Sequence, residues 1–392
     1  MKKQNVLIVT AFYNYDYNIR IKYLKNFFIQ RGYIVDVISS DFDHRNKCVQ
    51  EPINEVQLIH VPSYKRNLSI RRMWSHYQFA KKAYQYCANR TYDLIYVITP
   101  PNFLFYFFSK LKEKQPDTKI IFETEDLWPE SLPVSKHYKE IVKFPLTLWK
   151  NIRDKYIACA DAIVYECELF GNYIARENNV TCPTKCIYLS KDDTFLGELS
   201  EHECYSSSKC IEFLYLGSIN NLIDIDLILS FLKAVNKKKR VTLHIIGNGE
   251  LLDKFLNDCE KCQLSYVNHG AIYDENEKQK VISKCHFALN IMKDTVFVGA
   301  TMKSLEYFHY GIPLINNIVG DTHNIIEQYA CGYNLGDIND VVDRISMLSP
   351  EQYLKMKMKT RKVFEENFSP SQFEQKFEEL CGQIGLEDTH LQ

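Results

Sequence analysis

The sequence NVLIVT at residues 5–10 is followed by IRIKYLKNFFIQR at 19–31, by Gly32 and by YIVDVI at 33–38. The two outer segments are short apolar runs, as in strands of a parallel sheet that is covered on both faces. The middle segment has apolar residues at helical spacing, and the glycine after it is a typical helix stop. The order strand, helix, glycine, strand therefore predicts a β-α-β unit, the beginning of a doubly wound parallel sheet of the α/β class.

The same alternation continues along the chain and is interrupted once. Further buried strands are predicted at 93–98, 119–123 and 161–165. A second series of strands is predicted at 211–216, 241–246, 264–267, 286–291 and 312–316. Helices are predicted at 222–235, 250–262, 274–284 and 301–310, and terminal helices within 350–385. Between the two series, residues 189–209 are polar and end in a serine run, which is typical of a domain boundary.

This organisation predicts two Rossmann-like domains that face each other across a cleft. We place an N-terminal domain at 1–190, a linker at 191–209 and a second domain at 210–365. Residues 366–392 are expected to form a helix and tail that pack back toward the N-terminal domain. Open α/β sheets bind ligands at the carboxyl ends of their strands, so the cleft is the expected site. The chain lacks the G-x-G-x-x-G fingerprint after its first strand and a Walker A loop, which disfavours a nicotinamide dehydrogenase and a P-loop NTPase.

Composition narrows the class of protein further. The chain has 392 residues, of which 46% are hydrophobic and 25% charged, as in ordinary globular proteins. The formal net charge is −1, so a nucleic-acid partner is not expected. The charge is uneven, however, since residues 1–200 carry a net +6 and residues 201–392 a net −7. This asymmetry indicates two domains with different partners.

The cysteines and the apolar runs of the sequence indicate the cellular compartment in which the protein works. The 13 cysteines are odd in number and irregular in spacing, which favours free thiols in a reducing compartment over a disulfide framework. The longest apolar stretch, 94–108, is interrupted by two prolines and is too short to span a bilayer. We therefore expect a cytoplasmic protein, with peripheral attachment to the inner face of the cell membrane as an option.

Residues 65–90 form a basic and aromatic segment. They contain seven Lys and Arg, no acidic residue, and interleaved Trp, Tyr and Phe. Such a composition fits an interfacial helix on anionic lipid. It equally fits a helix of the domain whose charges are simply solvated. Both interpretations remain open from the sequence.

The segment TMKSLEYFHYGIPLINNIVGDTHNII at 301–326 resembles the donor-site signature of retaining glycosyltransferases with the GT-B fold, of the family-4 type. Strand–glycine turns similar to those of the family are found at 213–218, 244–249 and 270–272. Residues 125–132, EDLWPESL, resemble a segment of the members that act in capsule, exopolysaccharide and O-antigen biosynthesis. These matches occur in order and cover nearly the whole chain.

The resemblance implies a set of donor-binding residues. The helix that begins near Thr301 would offer its N-terminus to a diphosphate, with Lys303 adding a positive charge. Glu306 would accept hydrogen bonds from the ribose hydroxyls. The remaining donor-site residues implied are those of the glycine turns and of the loop that faces the base: Gly217, Ser218, Gly247, Ala271 and Ile272. No D-x-D motif follows a strand, and therefore neither a metal nor another cofactor is expected.

The resemblance also implies a catalytic and acceptor side in the first domain. Glu125 and Asp126 are the catalytic candidates, although both could instead serve as acidic caps of a helix. Tyr13, Asn14 and Trp128 are the candidates for acceptor binding, and Trp128 could instead belong to the core.

The chain departs from the family pattern at several positions. Val298 stands where many members have a second glutamate that contacts the donor sugar, and residues 217–221 hold no Lys or Arg. Tyr13 and Asn14 stand where a Gly-Gly turn is common. With these departures, the resemblance still implies a metal-independent retaining glycosyltransferase of bacterial surface polysaccharide synthesis that uses a UDP-sugar and a glycan or lipid-linked glycan acceptor. The alternative is a GT-B shell without turnover that serves as a binding partner in a glycosylation complex.

Overall fold

The computed structural model divides the chain into two compact units. The first consists of residues 1–189 with 373–392, and the second of residues 190–372. The residues described by the structure are 4–13, 19–132, 143–194 and 210–386. Each unit contains one large parallel sheet with helices, so the prediction of two α/β parallel-sheet units is confirmed. Of the predicted linker, residues 195–209 lie outside the described part of the chain.

The first unit is built on a seven-stranded parallel sheet in the order β5-β2-β1-β6-β7-β8-β9. Its strands are β1 (Asn5–Val9), β2 (Ile34–Ser40), β5 (Gln57–Ile59), β6 (Leu94–Thr99), β7 (Lys119–Thr124), β8 (Ala162–Tyr165) and β9 (Thr184–Cys186). A separate antiparallel pair is formed by β3 (Phe42–Asp43) and β4 (Cys48–Val49). Its described helices are α1 (Ile19–Gln30), α2 (Ile70–Ala88), α3 (Phe103–Lys114), α4 (Lys143–Tyr156) and α5 (Glu168–Glu177).

The long strands of this sheet appear where the apolar runs predicted them, and the short ones do not. β1, β6, β7 and β8 are buried along almost their whole length, which is why their sequences lack polar alternation. The edge strands β5 and β9 were not predicted, because a strand of three residues that includes polar side chains shows no hydrophobic periodicity.

One face of this sheet is covered by α1 together with the last described helix of the chain, α13 (Pro370–Gln383). Phe27 of α1 lies edge-to-face with Phe377 of α13, with 4.8 Å between ring centroids. Phe28 contacts the same ring at 5.6 Å. The apolar face of α1 is therefore buried only when α13 packs against it, since aromatic rings of this size bury large areas.

A buried ion pair joins α1 to the centre of this sheet. Arg20 Nε lies 2.6 Å from Glu123 Oε1, and both side chains are almost fully buried. Tyr96 donates its hydroxyl to Glu123 Oε2 at 2.8 Å. Arg20 also donates to the carbonyl of Ile187 at 2.5 Å. The pair therefore links β6, β7 and the segment after β9 to α1.

The second unit is built on a six-stranded parallel sheet in the order β12-β11-β10-β13-β14-β15. Its strands are β10 (Cys210–Leu216), β11 (Arg240–Ile246), β12 (Ser265–Asn268), β13 (Phe287–Asn290), β14 (Leu314–Asn316) and β15 (Gly332–Asn334). Its described helices are α6 (Ile225–Asn236), α7 (Leu252–Lys261), α8 (Glu275–Ile282), α9 (Met302–His309), α10 (Asp321–Tyr329), α11 (Ile338–Met347) and α12 (Pro350–Asn367). The apolar face of α6, which includes Ile228, Phe231 and Leu232, is buried against β10 and β11.

Among the helices described, none is long and apolar enough to cross a membrane.

Candidate functional site

The strand order of the second sheet reverses between β10 and β13, and the best-formed site lies there. These two strands pair at only two positions, Phe213 with Phe287 and Leu214 with Ala288. Beyond them Tyr307 bridges the gap, since its hydroxyl accepts from the amide of Leu216 at 3.0 Å and donates to the carbonyl of Leu289 at 3.2 Å. Open α/β sheets bind ligands outside the carboxyl ends of their strands at such a reversal.

Helix α9 begins at this edge of the sheet with a well-formed cap. Thr301 Oγ1 accepts from the amide of Ser304 at 3.0 Å, and Ser304 Oγ accepts from the amide of Thr301 at 2.9 Å. Thr301 also donates to Asn290 Oδ1 at 3.1 Å, which ties the cap to the end of β13. Within the described residues, the amides of Met302 and Lys303 have no hydrogen-bond acceptor. The first turn therefore offers two free donors and the positive end of the helix dipole.

Lys303 places a half-buried ammonium beside this turn. Its Nζ lies 4.7 Å from the centroid of the Tyr215 ring. In the part of the chain that the structure describes, it has no carboxylate and no hydrogen-bond partner. Burial lowers the pKa of Lys303 to about 8, with no opposing carboxylate. A cation left without a counter-charge at a helix N-terminus can bind an anion.

The glycines of the turns lack a Cβ, which lets Lys303 and the neighbouring turn approach them closely. A Cβ on Gly217, which has φ +118°, would lie 3.1 Å from Lys303 Cε. A Cβ on Gly247 would lie 2.0 Å from the carbonyl oxygen of Gly217. Their amides donate inside the protein, that of Gly217 to Ile246 at 2.8 Å and that of Gly247 to Gly270 at 2.7 Å. These glycines thus contribute close packing, and their own N–H groups are already used.

The other residues implied for the donor side lie in the same loops. Ser218 is exposed after β10, and its carbonyl accepts from the Tyr215 hydroxyl at 2.8 Å. Ala271 is exposed and Ile272 half-buried in the loop after β12. The loops after β10, β11 and β12 therefore lie along one edge of the sheet, as the parallel order requires.

Glu306 is held in a network of ion pairs that the sequence did not suggest. Its Oε2 lies 2.7 Å from Lys191 Nζ and 3.7 Å from Lys278 Nζ. The same two lysines bind Glu275 at 2.9 and 2.7 Å. Although burial works to raise it, hydrogen bonds from Lys278, Tyr310 and Lys191 lower the pKa of Glu275 to about 2. Glu306 therefore has one oxygen engaged, and no donor contacts its Oε1 among the described residues.

The same cluster contains a group of possible metal ligands among the described residues. Glu275, Glu306 and His309 each bring one ligand atom within 4.8 Å of the others. Lys191 and Lys278 already bind the two carboxylates there. Burial lowers the pKa of His309 to about 3, so its ring is neutral. The ammonium groups of the two lysines already neutralise these carboxylates, so a metal ion at this position would have to compete with them.

Acidic residues gather at the carboxyl ends of β7 and β8 in the first unit. Glu125 and Asp126 follow β7, and Glu166 follows β8. Burial and the carboxylate of Glu123 raise the pKa of Glu125 to about 8. Desolvation by the surrounding protein raises the pKa of Asp126 to about 6, although the hydrogen bond from Ser131 and the charge of Arg72 work to lower it. Burial also raises the pKa of Glu166 well above its usual value.

Trp128 is part of the protein interior. The indole is 7% exposed and lies 5.8 Å from the ring of His76 and 5.4 Å from that of Trp149, centroid to centroid. The guanidinium of Arg72 lies 4.6 Å from its centroid. The structure therefore does not support the expected stacking of an acceptor on Trp128, because other side chains already cover its indole ring.

The two remaining acceptor candidates lie after β1. The amide of Tyr13 donates to Ser39 Oγ at 3.1 Å, and its carbonyl accepts from Gln50 Nε2 at 3.1 Å. Its backbone is thus held beside β2, and its side chain is half-buried. Asn14 lies outside the described residues.

The basic segment at 65–90 corresponds largely to α2, and its charges divide into two groups. The exposed group consists of Lys65, Arg66, Arg71, Lys81 and Arg90. Arg72 is 9% exposed, and Lys82 donates to the carbonyl of His60 at 2.8 Å. Only part of the segment's charge is therefore available to a membrane, since these two cations are used within the unit.

Comparison with known proteins identifies the fold. No family model and no curated protein sequence matches the chain. Among solved structures, sucrose-phosphate synthase from Thermosynechococcus elongatus superposes with a TM-score of 0.69 at 13% identity, covering 97% of this chain and 99% of that one. HepE of Anabaena in complex with UDP-glucose gives 0.64 at 12% identity, with 96% and 99% covered. The lipopolysaccharide outer core galactosyltransferase WaaB, in its apo form, gives 0.67 at 15% identity, with 97% and 99% covered. These neighbours are GT-B glycosyltransferases that match over almost their full length, and the chain therefore has the GT-B fold.

Proposed function

We propose that this protein is a retaining, metal-independent glycosyltransferase that uses a nucleotide-diphosphate sugar, with UDP as the nucleotide. The observation that carries the proposal is Lys303, a half-buried ammonium without a counter-ion in the described chain, at the N-terminus of α9. A diphosphate supplies the charge that this position lacks. The solved complex of HepE with UDP-glucose, a GT-B neighbour, supports the choice of nucleotide.

The proposed donor site uses three kinds of contact. The amides of Met302 and Lys303 and the ammonium of Lys303 bind the diphosphate oxygens, and they stabilise the charge that grows as the anomeric carbon–oxygen bond breaks. Glu306 Oε1 accepts from the ribose while Oε2 stays with Lys191. The loop at Ala271 and Ile272 faces the base. No metal is needed, because Lys303 and the helix dipole neutralise the leaving diphosphate.

The proposed reaction retains the anomeric configuration. The bond from the anomeric carbon to the leaving phosphate breaks, and the acceptor oxygen bonds to the same face. A phosphate oxygen takes the acceptor's proton. Of the two catalytic candidates, Asp126 is the one that is ionised near neutral pH, because Glu125, with a pKa of about 8, holds its own proton.

We further propose that the acceptor is a glycan or lipid-linked glycan of capsule, exopolysaccharide or O-antigen synthesis, with the protein acting in the cytoplasm at the inner membrane face. The exposed side chains of Arg71 and Lys81, with Ile70 at 90% and Trp74 at 52% exposure, support contact with an anionic surface.

A second candidate is a binding partner without turnover. It is favoured by Val298, where a sugar-contacting glutamate is common in the family, and by the engagement of Glu306 with Lys191. Such a protein would bind a nucleotide or glycan without releasing a product.

A donor screen separates these candidates. The purified protein is incubated with UDP- and GDP-sugars, and nucleotide release is measured with and without EDTA. The main proposal expects release from at least one UDP-sugar, abolished by Lys303→Met and unaffected by EDTA, with NMR of the product showing retention. UDP binding without release from any donor would favour the partner, and release that requires a divalent ion would contradict the metal-free site.

A further inference from the structure

Three neighbouring strands of the second sheet each end in an asparagine. Asn290 ends β13, Asn316 ends β14 and Asn334 ends β15. The strands pair in register, so that Asn290 is opposite Asn316 and Asn316 is opposite Asn334. Because side chains at paired positions of neighbouring parallel strands point to the same side of the sheet, the three amides can meet. They form a row, here called the asparagine row, across the carboxyl edge of the sheet.

Hydrogen bonds join the asparagine row in one direction. Asn290 Nδ2 donates to Asn316 Oδ1 at 2.9 Å, and Asn316 Nδ2 donates to Asn334 Oδ1 at 2.9 Å. Asn334 Nδ2 donates in turn to two acceptors of α10, the carbonyl of His323 at 3.1 Å and Glu327 Oε1 at 2.7 Å. Because a carbonyl can only accept, each amide of the row turns its NH₂ group toward α10 and its oxygen toward α9.

The asparagine row is buried where it meets the cap of α9. Asn316 also donates to the carbonyl of Ile318 at 2.9 Å and accepts from the amide of Ile318 at 3.3 Å. Asn290 presents its Oδ1 to the hydroxyl of Thr301, which donates to it at 3.1 Å. Asn290 and Asn316 are both 0% exposed. A buried polar network whose members all have partners rigidifies its surroundings, so the N-cap of α9 is tied to a rigid row.

Helix α10 also holds the backbone that leads into α9. The amide and the hydroxyl of Thr322 both donate to the carbonyl of Gly299, at 2.9 and 2.8 Å. Thr322 is 0% exposed. Gly299 lies two residues before Thr301, the N-cap of α9. The backbone that enters α9 and the side chain that caps it are therefore both fixed from α10.

The direction of the asparagine row determines which amides the cap uses. Since Asn290 presents an oxygen, the hydroxyl of Thr301 donates to it and keeps its lone pairs for the amide of Ser304, at 3.0 Å. The amides of Met302 and Lys303 are left without an acceptor among the described residues. Free amides of this kind at a helix N-terminus are suited to an anion when the turn is held in place.

We propose that Asn290, Asn316 and Asn334 are positioning residues of the donor site. They fix the hydroxyl of Thr301 and with it the first turn of α9, so that its free amides and Lys303 face the bound anion together. The inference rests on the proposed function, because that anion is the diphosphate of the nucleotide-sugar. The asparagines do not contact the substrate, and Asn316 acts only through Asn290 and Thr301.

The test is a double-mutant cycle on the full-length protein, with the affinities for UDP and for uridine measured by calorimetry. Asn316→Ala opens the row in the middle. We expect it to weaken UDP binding about tenfold and to leave uridine binding nearly unchanged, because misplaced amides lose charge-assisted hydrogen bonds to the diphosphate. Thr301→Val removes the hydroxyl that links the row to the cap and should weaken UDP binding by a similar factor. In the Thr301→Val background, Asn316→Ala should have little further effect.

Asn317→Ala is the matched control. Asn317 follows Asn316 in the sequence, and its two hydrogen bonds, at 2.8 and 2.7 Å, join the backbone of Met292 and not the row. It should lower the melting temperature, yet bind UDP like the wild type. Full UDP affinity in Asn316→Ala, or effects of Asn316→Ala and Thr301→Val that simply add, would overturn the inference. If Asn316→Ala does not fold, Asn334→Ala takes its place with the same expectation.

A measurement without nucleotide separates this inference from the donor proposal. Hydrogen–deuterium exchange of the ligand-free protein compares residues 299–309 with α6 and α7. Asn316→Ala should speed exchange in the first turn of α9 and leave α6 and α7 unchanged. If the wild type does not bind UDP, the donor proposal fails, while this local change would still support the role of the row in holding α9. Exchange that is unchanged at α9, or faster in all three helices, would reject that role as well.

Discussion

Lys191 Nζ lies 2.7 Å from Oε2 of Glu306, the carboxylate that the sequence assigns to the ribose of the donor. The two residues are 115 positions apart, and the lysine also binds Glu275. The contact fixes the position of the carboxylate before any nucleotide arrives. It leaves Oε1 without a donor among the described residues, so that the proposed ribose contact need not break an ion pair.

Glu306→Ala should weaken UDP binding by about 1–3 kcal/mol, the cost of losing hydrogen bonds to a charged acceptor. The fold should survive, because Glu275 still binds Lys191 and Lys278. Calorimetry with UDP and with 2′,3′-dideoxy-UDP measures the effect. The dideoxy nucleotide should bind the variant and the wild type alike; a folded variant that keeps full UDP affinity would remove Glu306 from the donor site.

Lys303→Met should weaken the binding of UDP far more than that of uridine. The side chain keeps its packing beside Gly217, while the charge next to the diphosphate is lost. A hydrogen bond to a charged group is worth about 1.5–3 kcal/mol, which sets the expected loss for UDP. If uridine and UDP lose the same affinity, Lys303 supports the site sterically and does not bind phosphate.

The affinity for UDP should also depend on pH in a direction set by Lys303. The pKa of its free ammonium is about 8, so below that pH the charge is already present and affinity is nearly constant. Above it the charge must be restored by taking up a proton, and affinity should fall as pH rises. Lys303→Met should show a flat profile over the same range, measured by calorimetry in two buffers of different ionisation enthalpy.

Removing one partner of the Arg20–Glu123 pair should destabilise the first unit strongly. Arg20→Met leaves the Glu123 carboxylate buried beside Tyr96, and breaking such a pair costs about 3–5 kcal/mol. Urea unfolding followed by fluorescence measures the loss. Replacing both residues by Met should recover part of it, because no unpaired charge then remains; a double variant less stable than Arg20→Met would contradict this account.

The proposed membrane attachment should depend on the exposed charges of residues 65–90. Replacing Arg71 and Lys81 by Gln should weaken binding to vesicles that contain anionic lipid, by about 1 kcal/mol for each charge. Added salt should have the same effect on the wild type, because it screens charges beyond a Debye length of about 10 Å at 0.1 M. If co-sedimentation with vesicles does not change with lipid charge, salt or the two substitutions, then this face of α2 is solvated and does not bind the membrane.

The local parts of the fold and site were predictable from the sequence. The helix at Thr301 and the i,i+3 placement of Lys303 and Glu306 follow from neighbouring residues, and the cap and helix are observed. The partner Lys191 could not be predicted, since its contact with Glu306 joins distant parts of the chain. The burial of Arg72 could not be predicted either, because arginines are usually exposed and its burial depends on how the whole unit packs.

The aromatic contact between α1 and α13 has a consequence for how the chain is made. Phe27 emerges from the ribosome early, yet Phe377, which covers it, is synthesised after the entire second unit. The core of the first unit therefore cannot be complete until α13 has been synthesised, and until then the nascent chain carries an apolar stripe on α1. A chain that lacks α13 would leave that apolar stripe of α1 uncovered, because no other helix described contributes an aromatic ring to Phe27 in this way.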